Sequence, residues 1–322
     1  MAIARWTGVA AAARGRGHER SGAPCQDVAE FTTGPTTVFV LADGMGSAAH
    51  AEAGAQAVVA AARDFFRICS RPLSDGPEAF RNDLFAALRA RLERTAAELG
   101  VPERDLSSTL LVVAVDAAAY LACHVGDGVI GVRRDGYAQV LSTPTNGEFA
   151  NQTVAVGHLQ GPDGLRLVGG PLTGVDAFLL MSDGAAASLH GRPSPEVPDG
   201  ALAPAVAHWW NGLGTHAPSQ VGVAVREAVN GPIRRQTRDD CSVVVAARVG
   251  IDLRKQVRGA QLLGFVAPSR GLRSRRRVAS AWSRHGAEAS TLRIARAVGL
   301  HPSTVRRHRN TLRALGWAVR GT

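Results

Sequence analysis

The sequence predicts an α+β fold, a four-layer α/β/β/α sandwich, followed by a small all-α domain that is strongly basic. Three observations carry this. Eight short runs rich in valine and leucine are bounded by glycine, aspartate or proline, as strands are. Two long segments with helical apolar spacing interrupt them, and helices that come in pairs among strands suit such a sandwich. Charge is divided along the chain. Residues 251–322 hold sixteen Arg/Lys against two acids, a net of +14, whereas residues 1–250 hold 21 basic and 25 acidic residues, a net of −4.

The strand candidates are residues 6–13, 36–41, 109–115, 120–125, 129–133, 138–141, 175–181 and 242–249. The first long helix, residues 51–68, is alanine-rich, with an apolar face through Ala55, Val58, Val59 and Ala62. The second, residues 77–99, opens with Pro77 near its first turn and stops at Gly100 and Pro102. It repeats Leu84, Leu88, Leu92 and Leu99 at helical spacing, a stripe expected to face the core. Residues 192–204 read as a loop, and residues 205–212 and 219–229 as helices. The start of the chain, residues 1–17, has an apolar core too short for a signal peptide and reads as a first strand.

At 322 residues, 45% hydrophobic and 20% charged, the chain can bury one large core and a small one. The expected organisation is a domain at 1–250, a basic linker at 251–277 and a second domain at 278–322. No apolar run approaches the roughly 18 residues of a transmembrane helix, so no membrane partner is expected. Cys25, Cys69, Cys123 and Cys241 are widely spaced and lack paired metal-ligand spacing; they read as buried, reduced residues of a cytoplasmic protein.

Five stretches carry the chemistry: Cys25-Gln26-Asp27, Ala42-Asp43-Gly44-Met45-Gly46, Gly126-Asp127-Gly128, Ser182-Asp183-Gly184 and Arg238-Asp239-Asp240. Each places aspartate at or beside the end of a strand-like run. One such aspartate is an ordinary turn residue. Five flanking one set of strands suggest clustered oxygen donors, the ligands that hard divalent cations take.

In order and wording these stretches resemble the metal-dependent protein phosphatases, the type 2C serine/threonine family in its bacterial form, from about Trp6 to Val249. The resemblance implies the sandwich fold and a metal-dependent phosphoric monoester hydrolase acting on phosphoserine or phosphothreonine in proteins. It also implies two ions, Mn2+ or Mg2+, roughly 3.5–4 Å apart that activate a water for in-line attack. Carried over by position, Asp27 and Asp43 are metal ligands, with Asp43 bridging both ions. Gly44 offers its carbonyl, Asp183 and Asp239 complete the set, and Asp127 serves a third, weaker ion. Asp240 stands where the family usually has asparagine and is expected to orient Asp239. The phosphate-binding arginine is assigned to Arg20, with Arg16 and Arg14 as alternatives. The chain departs from many members at Gln26, which replaces an acid, and from animal members at Met45, which replaces a histidine. His18 is expected to be structural, and Cys25 and Cys241, with no base nearby in sequence, are not expected to be nucleophiles.

The tail carries a separate signal. Residues 290–305 resemble a helix-turn-helix: Ala295 lets two helices approach, Gly299 takes the turn and Val305 packs the second helix back. Pro302 suits a first helical turn. Ser303, Arg306, Arg307, Asn310 and Arg313 would face outward, toward a DNA groove, although His308 sits where a larger apolar residue is usual. Two functions are therefore weighed. One is a protein phosphatase with a basic module for double-stranded DNA. The other is a transcriptional regulator whose phosphatase-like domain senses a ligand and has lost turnover. Four converging carboxylates, which repel one another without metal, favour the first.

Overall fold

In the computed structural model the structure describes residues 5–144, 153–191, 199–249, 278 and 290–306. The chain divides into two compact units: Met1–Arg134 with Ala138–Ile251, and Asp252–Thr322 with Asp135–Tyr137.

The first unit is built on two five-stranded antiparallel sheets. One has the order β1-β10-β9-β6-β7: β1 (Arg5–Ala13), β10 (Cys241–Val249), β9 (Val175–Met181), β6 (Val129–Arg134) and β7 (Tyr137–Ser142). The other runs β2-β3-β4-β5-β8: β2 (Asp27–Thr32), β3 (Thr37–Asp43), β4 (Leu110–Val115), β5 (Ala119–Val125) and β8 (Arg166–Pro171). Between the sheets lie Trp6, Phe39, Leu41, Val113, Phe178, Leu180 and Val244, all buried. Trp6 and Tyr120 stand 5.4 and 5.3 Å from Phe178, ring centre to ring centre, within the range of favourable aromatic pairs.

Helices cover both outer faces. On the second sheet, α2 (Ala51–Ile68) and α3 (Glu78–Leu99) bury Ala55, Val58, Val59 and Ala62, and Leu84, Leu88 and Leu92, against Val38, Val40 and Val112. On the first sheet, α4 (Asp183–Leu189), α5 (Pro204–Thr215) and α6 (Pro218–Ala228) pack Trp210, Leu213, Val221 and Val225 on Leu179, Val243 and Val245. The four-layer α/β/β/α sandwich is therefore the observed architecture. Strands central to a sheet flanked on both faces read as continuous apolar runs, and β4, β5 and β9 are buried along their whole length.

Several sequence expectations need correction. Leu99 does not join the leucine stripe in the core; it is half exposed, because Gly100 in a left-handed conformation ends α3 there. Asp27 begins a strand rather than following one, and β2 and β8 were not foreseen. Residues 16–21 form a short helix, α1 (Arg16–Ser21), for which no element was expected, and Pro204 opens α5 rather than closing a loop. The expected linker at 251–277 lies outside the described residues, as do residues 192–198 of the expected loop.

In the second unit, Thr291–Val298 is a helix whose N-cap Ser290 accepts a hydrogen bond from the Arg293 amide at 3.2 Å. Gly299 follows with φ +60°, and Leu300 donates back to Ala295. Residues 302–306 begin a second helical segment. Ile294, Ala295, Val298 and Val305 are buried, while Ser303 and Arg306 are exposed. His308, Arg307, Asn310 and Arg313 lie outside the described residues.

Candidate active site

The carboxylates gather where the two sheets end on the same side. Asp27 and Asp43 are direct cross-strand partners at the first residue of β2 and the last of β3. Their register is held beyond the strands: the Gly44 amide donates to the Gln26 carbonyl at 3.1 Å, and the Asp43 amide donates to Thr109 Oγ1 at 2.9 Å. The Gly44 carbonyl has no donor among the described residues. From the other sheet, Asp183 opens α4 directly after β9, with Ser182 as N-cap residue. Asp239 and Asp240 precede β10. The Asp240 amide donates to Asp239 Oδ1 at 2.9 Å and so orients that carboxylate.

Asp240 therefore orients Asp239 as expected, but through its backbone amide; its side chain has a further task. Its Oδ1 accepts the Gly15 amide at 2.5 Å, its Oδ2 accepts the Gln26 amide at 2.6 Å, and His18 Nδ1 stands 3.0 Å from Oδ2. One buried carboxylate thus ties the end of β1, the start of β2 and α1 to β10. Gly15 must be glycine here, because a Cβ would sit 2.3 Å from the Asp239 carbonyl carbon.

Electrostatics mark the four carboxylates as a cluster. Burial pushes Asp27 up from 3.8 to about 7; the nearby Ser242 and Ser182 hydroxyls and Asp43 ease it downward, and the charge of Asp240 adds to the rise. Asp43 is held well above the usual carboxylate range by burial first, then by the charges of Asp27, Asp183 and Asp239. Asp183 rises to about 6 through burial, then through Asp127 and Asp239. Neither oxygen of Asp27 is in bonding geometry with a donor, and the same is true of Asp183 Oδ1. Buried polar atoms ordinarily find partners, so these oxygens stand out as acceptors that could hold a positive species. Among the described residues no three His, Cys, Asp or Glu side chains close on a single point. The donors nevertheless fit a hard divalent cation in chemistry: they are clustered carboxylate oxygens, and those of Asp27 and Asp183 Oδ1 are buried and short of partners.

Asp127 flanks the cluster and accepts from Thr153 Oγ1 at 2.7 Å. Its turn is locked by a buried histidine that the sequence reading missed. Arg166 donates to His124 Nδ1 at 2.7 Å, which leaves Nε2 to donate to the Gly126 carbonyl at 3.0 Å. Burial, then the Arg166 charge, lowers the His124 pKa to about 3, so the ring is neutral. The only early sign of this lock was a polar residue inside the apolar run of β5.

Of the arginine candidates, Arg16 is committed to the Arg235 and Thr237 carbonyls, and Arg14 to the Ala23 carbonyl at 3.4 Å. Arg20 is exposed on α1 with no ion partner among the described residues. Cys25 and Cys241 have thiols pushed up to about 12, by burial first and then by neighbouring aspartates, so neither is a thiolate nucleophile. All four cysteines are free; Cys123 and Cys241 are buried, whereas Cys25 and Cys69, expected to be, are only partly so. No helix among the described residues is long and apolar enough to cross a membrane.

Three comparisons bear on this site. The search of curated proteins finds no match. Among solved structures, the chain resembles PppA, a key regulatory component of T6SS in Pseudomonas aeruginosa, at 19% identity and TM-score 0.54, over 76% of this chain and 99% of that one. It resembles the serine/threonine phosphatase Stp1 from Staphylococcus aureus at 14% identity and TM-score 0.51, over 77% and 95%. It also resembles the catalytic domain of the serine/threonine protein phosphatase PstP, solved with two manganese ions, at 22% identity and TM-score 0.51, over 76% and 99%. At these identities the likeness is one of fold. The sequence itself decides the family, for residues 14–225 match protein phosphatase 2C. That stretch carries Asp27, Asp43 and Asp183 on the shared two-sheet frame, and the chain accordingly belongs to the protein phosphatase 2C family, the metal-dependent serine/threonine phosphatases.

Proposed function

We propose that this phosphatase hydrolyses phosphoserine and phosphothreonine esters of proteins at the edge formed by Asp27, Asp43, Asp183 and Asp239. The observation that carries the reading is the set of buried carboxylate oxygens without donors on Asp27 and Asp183, beside an Asp43 whose pKa is raised by burial first and then by three neighbouring charges. Asp43 would hold two ions between the sheets, with the Gly44 carbonyl and Asp27 on one side and Asp183 and Asp239 on the other. Asp127 would serve a third, weaker position. Manganese or magnesium, when bound, supplies a lowered pKa for water and neutralises charge on the phosphoryl oxygens. The chain's own residues do the positioning. The Asp240 amide turns Asp239, the Thr109 hydroxyl fixes the Asp43 backbone, and Arg20 is free to bind a phosphoryl oxygen.

The test is turnover of phosphopeptides and p-nitrophenyl phosphate by EDTA-treated protein, with and without added Mn2+. Hydrolysis should require the metal and disappear in Asp43→Ala and Asp183→Ala. Full activity after metal removal would refute the reading, and a metal-loaded protein inert on every ester would leave a sensor domain in its place.

We further propose that 278–322 is a separate helix-turn-helix-like domain binding duplex DNA, joined through the basic stretch 251–277. Supporting this are the capped helix, the left-handed Gly299, the buried Val305 and the exposed Ser303 and Arg306, together with the net charge of +14 in residues 251–322. Arg307, Asn310 and Arg313 would complete the reading face. A salt titration against random and selected duplexes tests it: each phosphate contact adds roughly 0.9 to the magnitude of the negative slope of log affinity against log salt. Absence of binding at low salt would leave a protein-docking hairpin.

A further inference from the structure

We infer that α1 and the segment Arg234–Asp240 form one docking surface for the acidic flank of a phosphopeptide, an inference that rests on the phosphatase reading of the adjoining carboxylates. Helix α1 buries no side chain, so packing does not hold it in place. Hydrogen bonds to a segment more than two hundred residues away do. The Gly17 amide donates to the Arg238 carbonyl at 2.7 Å, Arg16 donates to the Arg235 carbonyl at 3.1 Å, and Arg234 Nε donates to the Arg14 carbonyl at 2.6 Å. The result is a single surface carrying Arg14, Arg16, Arg20, Arg235 and Arg238, all exposed. Its acids are already engaged: Glu19 pairs with Arg234, Asp240 takes backbone amides, and Asp239 belongs to the site. Arg20, Arg235 and Arg238 have no ion partner among the described residues.

This concentration of positive charge sits in a region, residues 1–250, whose net charge is −4. It abuts the carboxylate cluster through Asp239, the residue after Arg238. A ligand that suits both halves has one phosphate for the metal-binding edge and carboxylates a few residues away for the arginines, whose guanidinium groups match carboxylates in bidentate geometry. A duplex, with phosphates at uniform spacing, would also lie across Asp239. The arrangement therefore favours an acidic phosphopeptide over a nucleic acid.

The experiment uses the full chain with Mn2+ and two phosphothreonine peptides, one flanked by aspartate and glutamate and one by glutamine and serine. The parent should prefer the acidic peptide in kcat/KM, and added salt should erode that preference. In Arg235→Gln/Arg238→Gln the backbone carbonyls that tie α1 in place are kept. The ratio of kcat/KM for acidic over neutral peptide should fall by about 5-fold, the scale of two lost surface ion pairs. Anisotropy of the fluorescein-labelled acidic peptide, measured against both proteins, reads docking without turnover and should show the same loss. Equal ratios, or equal peptide affinity in parent and variant, would overturn the inference. So would a variant that loses random-duplex affinity while keeping peptide affinity, because the surface would then serve nucleic acid. Absence of all turnover with peptide docking intact would sink the phosphatase reading alone.

Discussion

Replacing Asp27 with asparagine should make the metal-free protein more stable at neutral pH. In the folded chain the carboxyl is buried without a donor and its pKa lies near 7, against an ordinary 3.8. Folding therefore opposes ionisation. Between about pH 4 and 7 the native state holds a proton that the unfolded state has released, so this group's contribution to stability falls as pH rises through that window. At about 1.4 kcal/mol per pH unit, the cost at pH 7.5 is on the order of 4 kcal/mol. Asparagine keeps the shape and removes the charge. Asp27→Asn and the parent should thus melt alike near pH 4 in EDTA and diverge as pH rises, the variant melting roughly 10 °C higher at pH 7.5. His124 acts in the opposite sense. Its pKa, lowered to about 3, means the native state binds fewer protons than the unfolded chain up to about pH 6.5, so its contribution is lost as pH falls. Both proteins carry that term, so it cancels in their difference. Calorimetric melts from pH 4 to 8 supply the measurement, and adding Mn2+ should reverse the order by stabilising the parent more. A variant that melts no higher than the parent at pH 7.5 in EDTA would refute the argument that Asp27 is an uncompensated buried charge.

Gly15→Ala should lower both stability, by about 1–3 kcal/mol, and turnover, because its Cβ drives the Asp239 backbone out of place; denaturant midpoints and kcat report the two effects. Arg133→Met removes one partner of a buried ion pair and should lower stability by about 3–5 kcal/mol in a urea titration, since Arg133 Nε meets Asp176 at 2.5 Å and both are buried. Val305→Asp places a charge at a fully buried position and should abolish helicity and duplex binding in the tail while p-nitrophenyl phosphate hydrolysis continues.

The elements that were legible in sequence are those whose own residues settle their state. Strands β4, β5 and β9 are apolar throughout, and α2 and α3 show their buried faces at helical spacing. The two missed strands, β2 and β8, are the outer strands of one sheet. Strand β2 carries Glu30, an acid that reads as solvent-facing and is instead paired with Arg63 of α2 at 2.8 Å. Strand β8 includes Gly169, Gly170 and Pro171, which signal a turn but are tolerated where one side of a strand has no neighbour. In the site, the aspartates stood out because each lies beside a glycine or at a strand edge. The role of Asp240 did not, because its partners are the backbone amides of Gly15 and Gln26, which no side-chain pattern reveals. The neutral His124 was likewise hidden, since its state depends on Arg166, forty-two residues later.

Strand β1 pairs along its whole length with β10, Arg5 opposite Val249 and Ala13 opposite Cys241. A growing chain therefore presents its first strand long before the partner exists, and β9 must wait for the same neighbour. Asp239 reaches Asp43 only after residue 249 has left the ribosome, so the nascent protein carries no assembled phosphatase. The loop to be closed spans nearly the whole sandwich, and pairings of such separation place folding at the slow end of the range. A message that stops short of β10 yields no smaller enzyme. It leaves two strands with unpaired edges, the species most open to aggregation and to degradation.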